Sequence, residues 1–152
     1  MSVSTYKEGD VFLVPLGDGA RALGVVARAN KKKGIVVGYF FKGLPEGVAD
    51  YTELGLTPGR ATKVLRFGDL GLMEGNWTVV AHLNDWRAEE WPMPKFVRED
   101  PFTKRACLVS YADDDPSVEL GEEPFAGNPM DYPKAALAGA GFVEKLLAKL
   151  PA

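Results

Sequence analysis

Residues 7–29, KEGDVFLVPLGDGARALGVVARA, constrain this chain more than any other stretch. Val11-Phe12-Leu13-Val14 is apolar at every position, rich in β-branched and aromatic side chains, and too short for an ordinary helix. Such a run predicts a strand buried on both faces, as in a barrel or sandwich core. Pro15 has no N–H to donate, so a central ladder cannot continue through it. Gly17-Asp18-Gly19 tolerates positive φ and lets the chain fold back tightly. Arg21–Ala29 returns as a second strand, with Gly24 marking a bulge or a close backbone approach. The stretch predicts a β-hairpin that opens a sheet.

Asn30-Lys31-Lys32-Lys33-Gly34 reads as a solvated hairpin tip, and Ile35–Phe41 as a third strand, again apolar on both faces. Three strands with short turns make an antiparallel meander. From Lys42 to Arg60 glycine and proline break any period, which predicts a loop with a helical turn near Ala49–Leu54. Lys63–Phe67 resumes extended structure, and Asp69–Leu72 continues it. Trp77–Leu83 predicts a strand with Trp77, Val79, Ala81 and Leu83 on one face. Asn84–Pro94 allows a single helical turn capped by Asp85 and ended by Pro92 and Pro94. Arg105–Tyr111 is a further strand, Asp113–Pro116 a turn, Val118–Leu120 a short edge strand, and Gly121–Asn128 a loop. Pro133–Ala138 allows an early helical turn before the break at Gly139-Ala140-Gly141. Phe142, Val143, Leu146, Leu147 and Leu150, at i, i+1, i+4, i+5 and i+8, line one side of a helix.

An amphipathic helix after a run of strands needs a sheet to lie on. The expected fold is therefore α+β: a single domain over residues 1–152 in which a mainly antiparallel, strongly curved β-sheet of about six strands carries a C-terminal amphipathic helix. The length suits one domain, and 46% hydrophobic residues with eight Phe, five Tyr and three Trp suit a packed core. The 17 Gly and 11 Pro fit many short strands joined by turns. A formal net charge of −3 gives no electrostatic reason to expect nucleic acid as a partner. The N-terminus has no apolar signal-peptide core, no stretch has the length of a membrane span, and the single cysteine cannot form an internal disulfide. Cytoplasmic residence is the corresponding expectation.

Candidate chemistry is sparse. His82 and Cys107 fall on different strands with no second histidine or paired cysteine, so no metal site and no cofactor is expected. A Cys–His nucleophile pair is formally available, but no motif surrounds Cys107 and a strand cysteine behaves as a small hydrophobe. Gly17-Asp18-Gly19 precedes a strand and lacks the helix N-terminus that phosphate loops use. Glu89-Glu90 and Glu122-Glu123 are adjacent in sequence and diverge, which suits solvated charges better than an acid–base pair. Charge is unevenly spread: residues 1–98 carry 13 Lys and Arg against 11 Asp and Glu, whereas residues 99–152 carry 5 against 10.

The opening hairpin resembles the start of the immunity protein 26 family, small proteins found beside bacterial polymorphic toxins, some of which are labelled phosphotriesterase-like. Gly9-Asp10, Pro15-Leu16, Asp18-Gly19 and Gly24-Val25-Val26 carry the likeness, with a weaker one at Trp77-Thr78-Val79-Val80 and Gly141–Lys145. It covers about half of the chain. The resemblance marks Gly9, Asp10, Pro15, Asp18, Gly19, Gly24 and Trp77 as structural motif positions. It implies an immunity protein that binds and neutralises a cognate toxin in the cytoplasm without chemistry. The alternatives are a phosphotriester-type hydrolase, for which one histidine is too few to hold two metals, and a small β-barrel binding module. A basic toxin site would be met by Asp113, Asp114, Asp115 and Glu119, with Trp86, Trp91 and Tyr111 as anchors. The plainer reading makes the acids a solvated loop and the two tryptophans covers for the sheet end.

Overall fold

The computed structural model describes residues 5–43 and 50–151. The expected hairpin is present. β1 (Asp10–Gly17) and β2 (Ala20–Asn30) pair antiparallel, from Val11 opposite Val25 to Pro15 opposite Arg21. Gly17, Asp18 and Gly19 all take positive φ, as the tight reversal requires. Gly24 lies opposite Phe12, and a Cβ on it would come within 2.2 Å of Phe12 Cζ. The close approach expected there is thus a phenyl ring laid across the backbone.

β3 (Ile35–Phe41) pairs with β2, β4 (Lys63–Gly68) with β3, and β5 (Thr78–His82) with the other edge of β1. The result is a five-stranded antiparallel sheet in the order β4-β3-β2-β1-β5. A second, three-stranded sheet follows from β6 (Phe96–Glu99), β7 (Ala106–Ala112) and β8 (Asp115–Phe125), in that order. The α+β class holds, but the single sheet of about six strands becomes eight strands in two sheets, neither closed into a barrel.

The five-stranded sheet is the middle layer. Phe12, Val14, Val26, Val36, Phe40, Leu65 and Phe67 point to one side and meet Trp77, Val143 and Leu147. Val11, Leu23, Val25, Ala27, Tyr39 and Phe41 point to the other and meet Trp91, while Val37 joins Phe96, Val109 and Tyr111 of the second sheet. Burial on both faces is what the continuous apolar runs of β1 and β3 encode.

The helix α2 (Ala140–Lys149) lies on the first side, with Val143 and Leu147 fully buried and Leu146 and Leu150 at the margin. Phe142 was expected on the same face, but it is 57% exposed. At about 100° per residue it sits on the shoulder of the buried stripe, facing Met130 and Leu137 across a surface groove.

Other expectations are corrected locally. Asp69–Leu72 does not extend β4; the chain turns into a short helix α1 (Leu70–Met73) after Asp69 N–H bonds the carbonyl of Gly34. Trp77, Val79, Ala81 and Leu83 do not share a face. A register shift between Val11/Phe12 and β5 inserts a bulge that sends Trp77 to the helix side, and Val80, Ala81 and Leu83 to the other. Val118–Leu120 is the middle of the eleven-residue β8, which also takes in much of the loop expected at Gly121–Asn128. Asp85 takes positive φ and caps nothing; the turn here is the short 3₁₀ helix Ala88–Glu90 with Arg87 before it.

Pro133–Ala138 is not helical: isolated bridges at Lys134 and Ala138 flank a bend at Ala135–Ala136. It forms a strap, with Val97 N–H donating to Pro133 O, Ala135 N–H to Val97 O, Ala138 N–H to Arg66 O and Gly68 N–H to Ala138 O. Of the helical turn expected at Ala49–Leu54, Tyr51–Leu54 is a 3₁₀ turn. Residues 1–4 and 44–49, on which the N-terminal reading and part of the loop reading fell, lie outside the described residues.

Candidate partner interface

The surface expected to bind a partner is organised by a residue the sequence did not single out. A bulge in β2 makes two successive residues, Ala27 and Arg28, face the second sheet. Arg28 is 2% exposed in an otherwise apolar strand. Burying a guanidinium is costly unless its donors are met. Here Nη1 donates to Ala27 O (2.6 Å) and Trp91 O (3.0 Å), Nη2 to Ala88 O (3.1 Å) and Asp113 Oδ1 (3.0 Å), and Nε to Asp113 O (2.6 Å). Among the described residues no buried side-chain polar atom lacks a partner. Arg28 therefore pins both the 88–91 turn and the β7–β8 hairpin tip to the main sheet.

Arg66 of β4 makes a parallel clasp. Its Nε donates to Pro116 O (3.0 Å), its Nη1 to Ala135 O (2.9 Å), and its plane covers the Tyr111 ring at 4.4 Å. Asn30 completes the attachment by donating to Asp115 and Ser117.

This frame decides where the expected anchors lie. Trp91 is 4% exposed, edge-on to Tyr39 at 5.2 Å and to Phe41 at 6.1 Å. Tyr111 is also buried, edge-on to Phe96 at 5.4 Å. Both are interior side chains. Trp86 is half-buried, tilted against Trp91 at 6.0 Å and closing the end of the sheet.

The acidic residues come together along the β7–β8 tip and β8, but most have internal partners. Asp113 faces Arg28; Asp115 accepts from Asn30 and from the Ser117 hydroxyl and N–H; Glu119 and Glu122 flank Arg98 at 2.6 and 3.2 Å; Glu123 meets Lys95 at 2.7 Å. The Ser117 hydroxyl holds the Asp115 carboxyl below its usual range, and Arg98 does the same for Glu119. Asp114 has no ion pair among the described residues. Glu8 belongs to the same neighbourhood: burial pushes its carboxyl up, Arg28 opposes this, and Asp113 and Asp114 add to it.

The motif positions explain themselves as structure. Gly9 takes positive φ, and a Cβ there would lie 2.7 Å from His82 Cε1 and 2.8 Å from the Trp86 ring. The Asp10 carboxylate accepts from Lys7 N–H (3.0 Å) and sits 2.9 Å from His82 Nδ1, fixing the chain's entry into β1. Pro15 stands beside a register irregularity in the β1–β2 ladder. Asp18 and Gly19 make the hairpin turn. Trp77 stacks on Phe12 at 5.7 Å, and its buried indole N–H donates to Glu144 of α2 at 2.9 Å.

His82 is on the first sheet beside Asp10 and Cys107 on the second beside Glu122. Burial and the Glu122 carboxylate both push the Cys107 thiol up, the opposite of what activates a thiolate nucleophile. Among the described residues no group of three or more His, Cys, Asp and Glu is placed to hold a metal ion, and no helix is long and apolar enough to cross a membrane.

The family model described as Immunity protein 26 matches residues 7–108, about two thirds of the chain. The matched span opens on the hairpin and ends in β7. Neither the curated proteins nor the solved structures yield a match.

Proposed function

The chain belongs to the immunity protein 26 family, and on that premise we propose that it binds and neutralises a cognate bacterial toxin in the cytoplasm, without chemistry of its own. The observation that carries this reading is the family match over residues 7–108, which takes in the whole five-stranded sheet.

The acidic tip of the β7–β8 hairpin contributes to the encounter. Asp114, without an ion pair among the described residues, and the partly answered Asp113, Asp115 and Glu119 beside it give an acidic ridge suited to a basic toxin surface, with the edge of Trp86 beside the same clasp. Exposed charges of this kind raise the association rate more than they deepen affinity. Because Trp91 and Tyr111 are interior, the anchor for the bound state belongs elsewhere on the surface.

The test is co-expression with the toxin domain encoded by the neighbouring reading frame. Wild-type chain should protect the cell. A variant carrying Asp113→Asn, Asp114→Asn and Asp115→Asn should bind with a slower, less salt-sensitive association. No protection by the wild type refutes the immunity reading; an unchanged association rate in the folded triple variant removes the ridge from it.

A further inference from the structure

Beyond the acidic ridge, an apolar groove runs between α2, β4 and the 129–139 segment. It encloses about 460 Å³, within the range of sites that accept a ligand or an anchoring side chain. Met130 is 77% exposed, Leu137 48% and Phe142 57%, and all three line it. These are three of the nine large apolar side chains left exposed among the described residues, gathered on one concave surface. Apolar surface concentrated in this way marks an interaction site more often than scattered exposed residues do.

The groove is preformed. One wall is the strap, fixed to β4 by the Ala138 N–H to Arg66 O and Gly68 N–H to Ala138 O bonds. The other wall is α2, held by the buried Val143 and Leu147. A rigid wall loses little conformational freedom when occupied.

Its charge is one-sided. The charged lining residues are Lys63, Arg66 and Lys134, with no Asp or Glu among them. Arg66 is engaged by carbonyls, but Lys63 and Lys134 have no ion pair among the described residues. Asp131 lines an adjoining recess that shares Lys63 and Met130 with the groove. An occupant with apolar side chains and flanking carboxylates matches this lining. A second copy of the chain does not, because a twofold contact here would set the same lysines against each other.

We propose that this groove is the anchor site for the toxin: it takes an amphipathic, acidic-flanked segment of that protein, with Leu137 and Phe142 as the principal contacts. The proposal rests on the immunity reading and supplies the apolar anchor that the acidic ridge lacks.

The experiment titrates full-length chain with a catalytically inactivated toxin domain from the neighbouring reading frame. Wild-type chain is compared with Leu137→Ala, Phe142→Ala, and the pair Lys63→Glu with Lys134→Glu. Leu137, Phe142 and Lys134 are exposed and Lys63 is half-buried, and circular dichroism with melting confirms folding. Each apolar truncation should weaken binding about tenfold or more, the range of interface hot spots. The charge reversal should weaken it most at low salt. Leu137→Asp is a harsher variant and should abolish binding while the melting temperature holds. Wild-type affinity in every folded groove variant overturns the groove and leaves the immunity reading standing. Failure of the wild type to bind overturns both. A wild-type dimer that Leu137→Asp dissociates in light scattering assigns the groove to self-association and overturns the proposal.

Discussion

The two sides of the five-stranded sheet are closed by different means. On the helix side the seal is mainly apolar: Phe12, Phe40, Phe67 and Trp77 interlock with ring centroids 5.4–6.2 Å apart, and α2 sets Val143 and Leu147 on top, with the Trp77 indole N–H to Glu144 as a polar tie. On the opposite side the covering elements are turns and a small sheet, and Arg28 and Arg66 fasten them through backbone carbonyls. Apolar packing tolerates small shifts and gains with area, whereas a guanidinium fork demands fixed acceptor positions. Both sides bury a sizeable apolar core, and the clasp in addition fixes the position of the charged surface.

The contrast is broken most severely at its apolar centre. Phe12→Ala should cost about 3–5 kcal/mol, the usual loss for a fully buried ring, and should lower the melting point of the whole molecule in one transition. Two separate transitions would show that the clasp side folds on its own account.

Arg28→Met should cost less, about 1–3 kcal/mol, because it leaves buried carbonyl acceptors without a donor but fills the same space. Its signature should be local. Hydrogen exchange should quicken at 86–92 and 112–116 while β1, β2 and β3 keep their protection. Uniform acceleration across the sheet would show that the arginine holds the core as well.

Glu8 gives the smallest effect and a sign. Its carboxyl is raised, so the folded chain holds a proton that the unfolded chain has released, and stability falls as pH rises from the ordinary glutamate range to the raised value. Glu8→Gln removes that dependence. The variant should melt above wild type near neutral pH, and the difference should shrink as pH falls below the ordinary glutamate range. A gap that stays constant with pH would place the glutamate in a water-like setting.

The central sheet and the helix are the more legible in the sequence. β1 and β3 announce themselves because strands buried on both faces must be apolar at every position, and α2 does so through its helical period. The clasp side gave weaker signals for physical reasons. β6 has only two buried residues, Phe96 and Val97, in four, too few to set a period. β8 is exposed along most of its length, so nothing forces alternation, and Pro116 and Pro124 look like breaks although an edge strand accommodates them. Arg28 was hidden by the rule that charge points outward. The available signal was one arginine inside the otherwise apolar run Ala22–Ala29, where a bulge was needed to turn it inward. The acidic bias of the C-terminal part is plain in the composition, but sequence cannot show that Arg28, Arg98 and Lys95 already answer most of these acids. Trp91 was read both as a cover for the sheet end and as an exposed anchor; its position against Tyr39 and Phe41 is the former.

The strap at 133–138 also sets the order in which the molecule can be completed. The β1–β4 meander closes through near neighbours, and such local contacts form early. The outer edge of β6 has its partners in Pro133 and Ala135, and the edge of β4 has its own in Ala138. On a ribosome adding residues at about 5–20 per second, those partners arrive roughly 2–8 s after β6 itself. Through that interval β6 shows an unpaired edge, the kind of surface on which nascent chains join one another. The charged pair Arg98 and Glu99 at its end is then the strand's own protection until the strap, made about forty residues later, is in place.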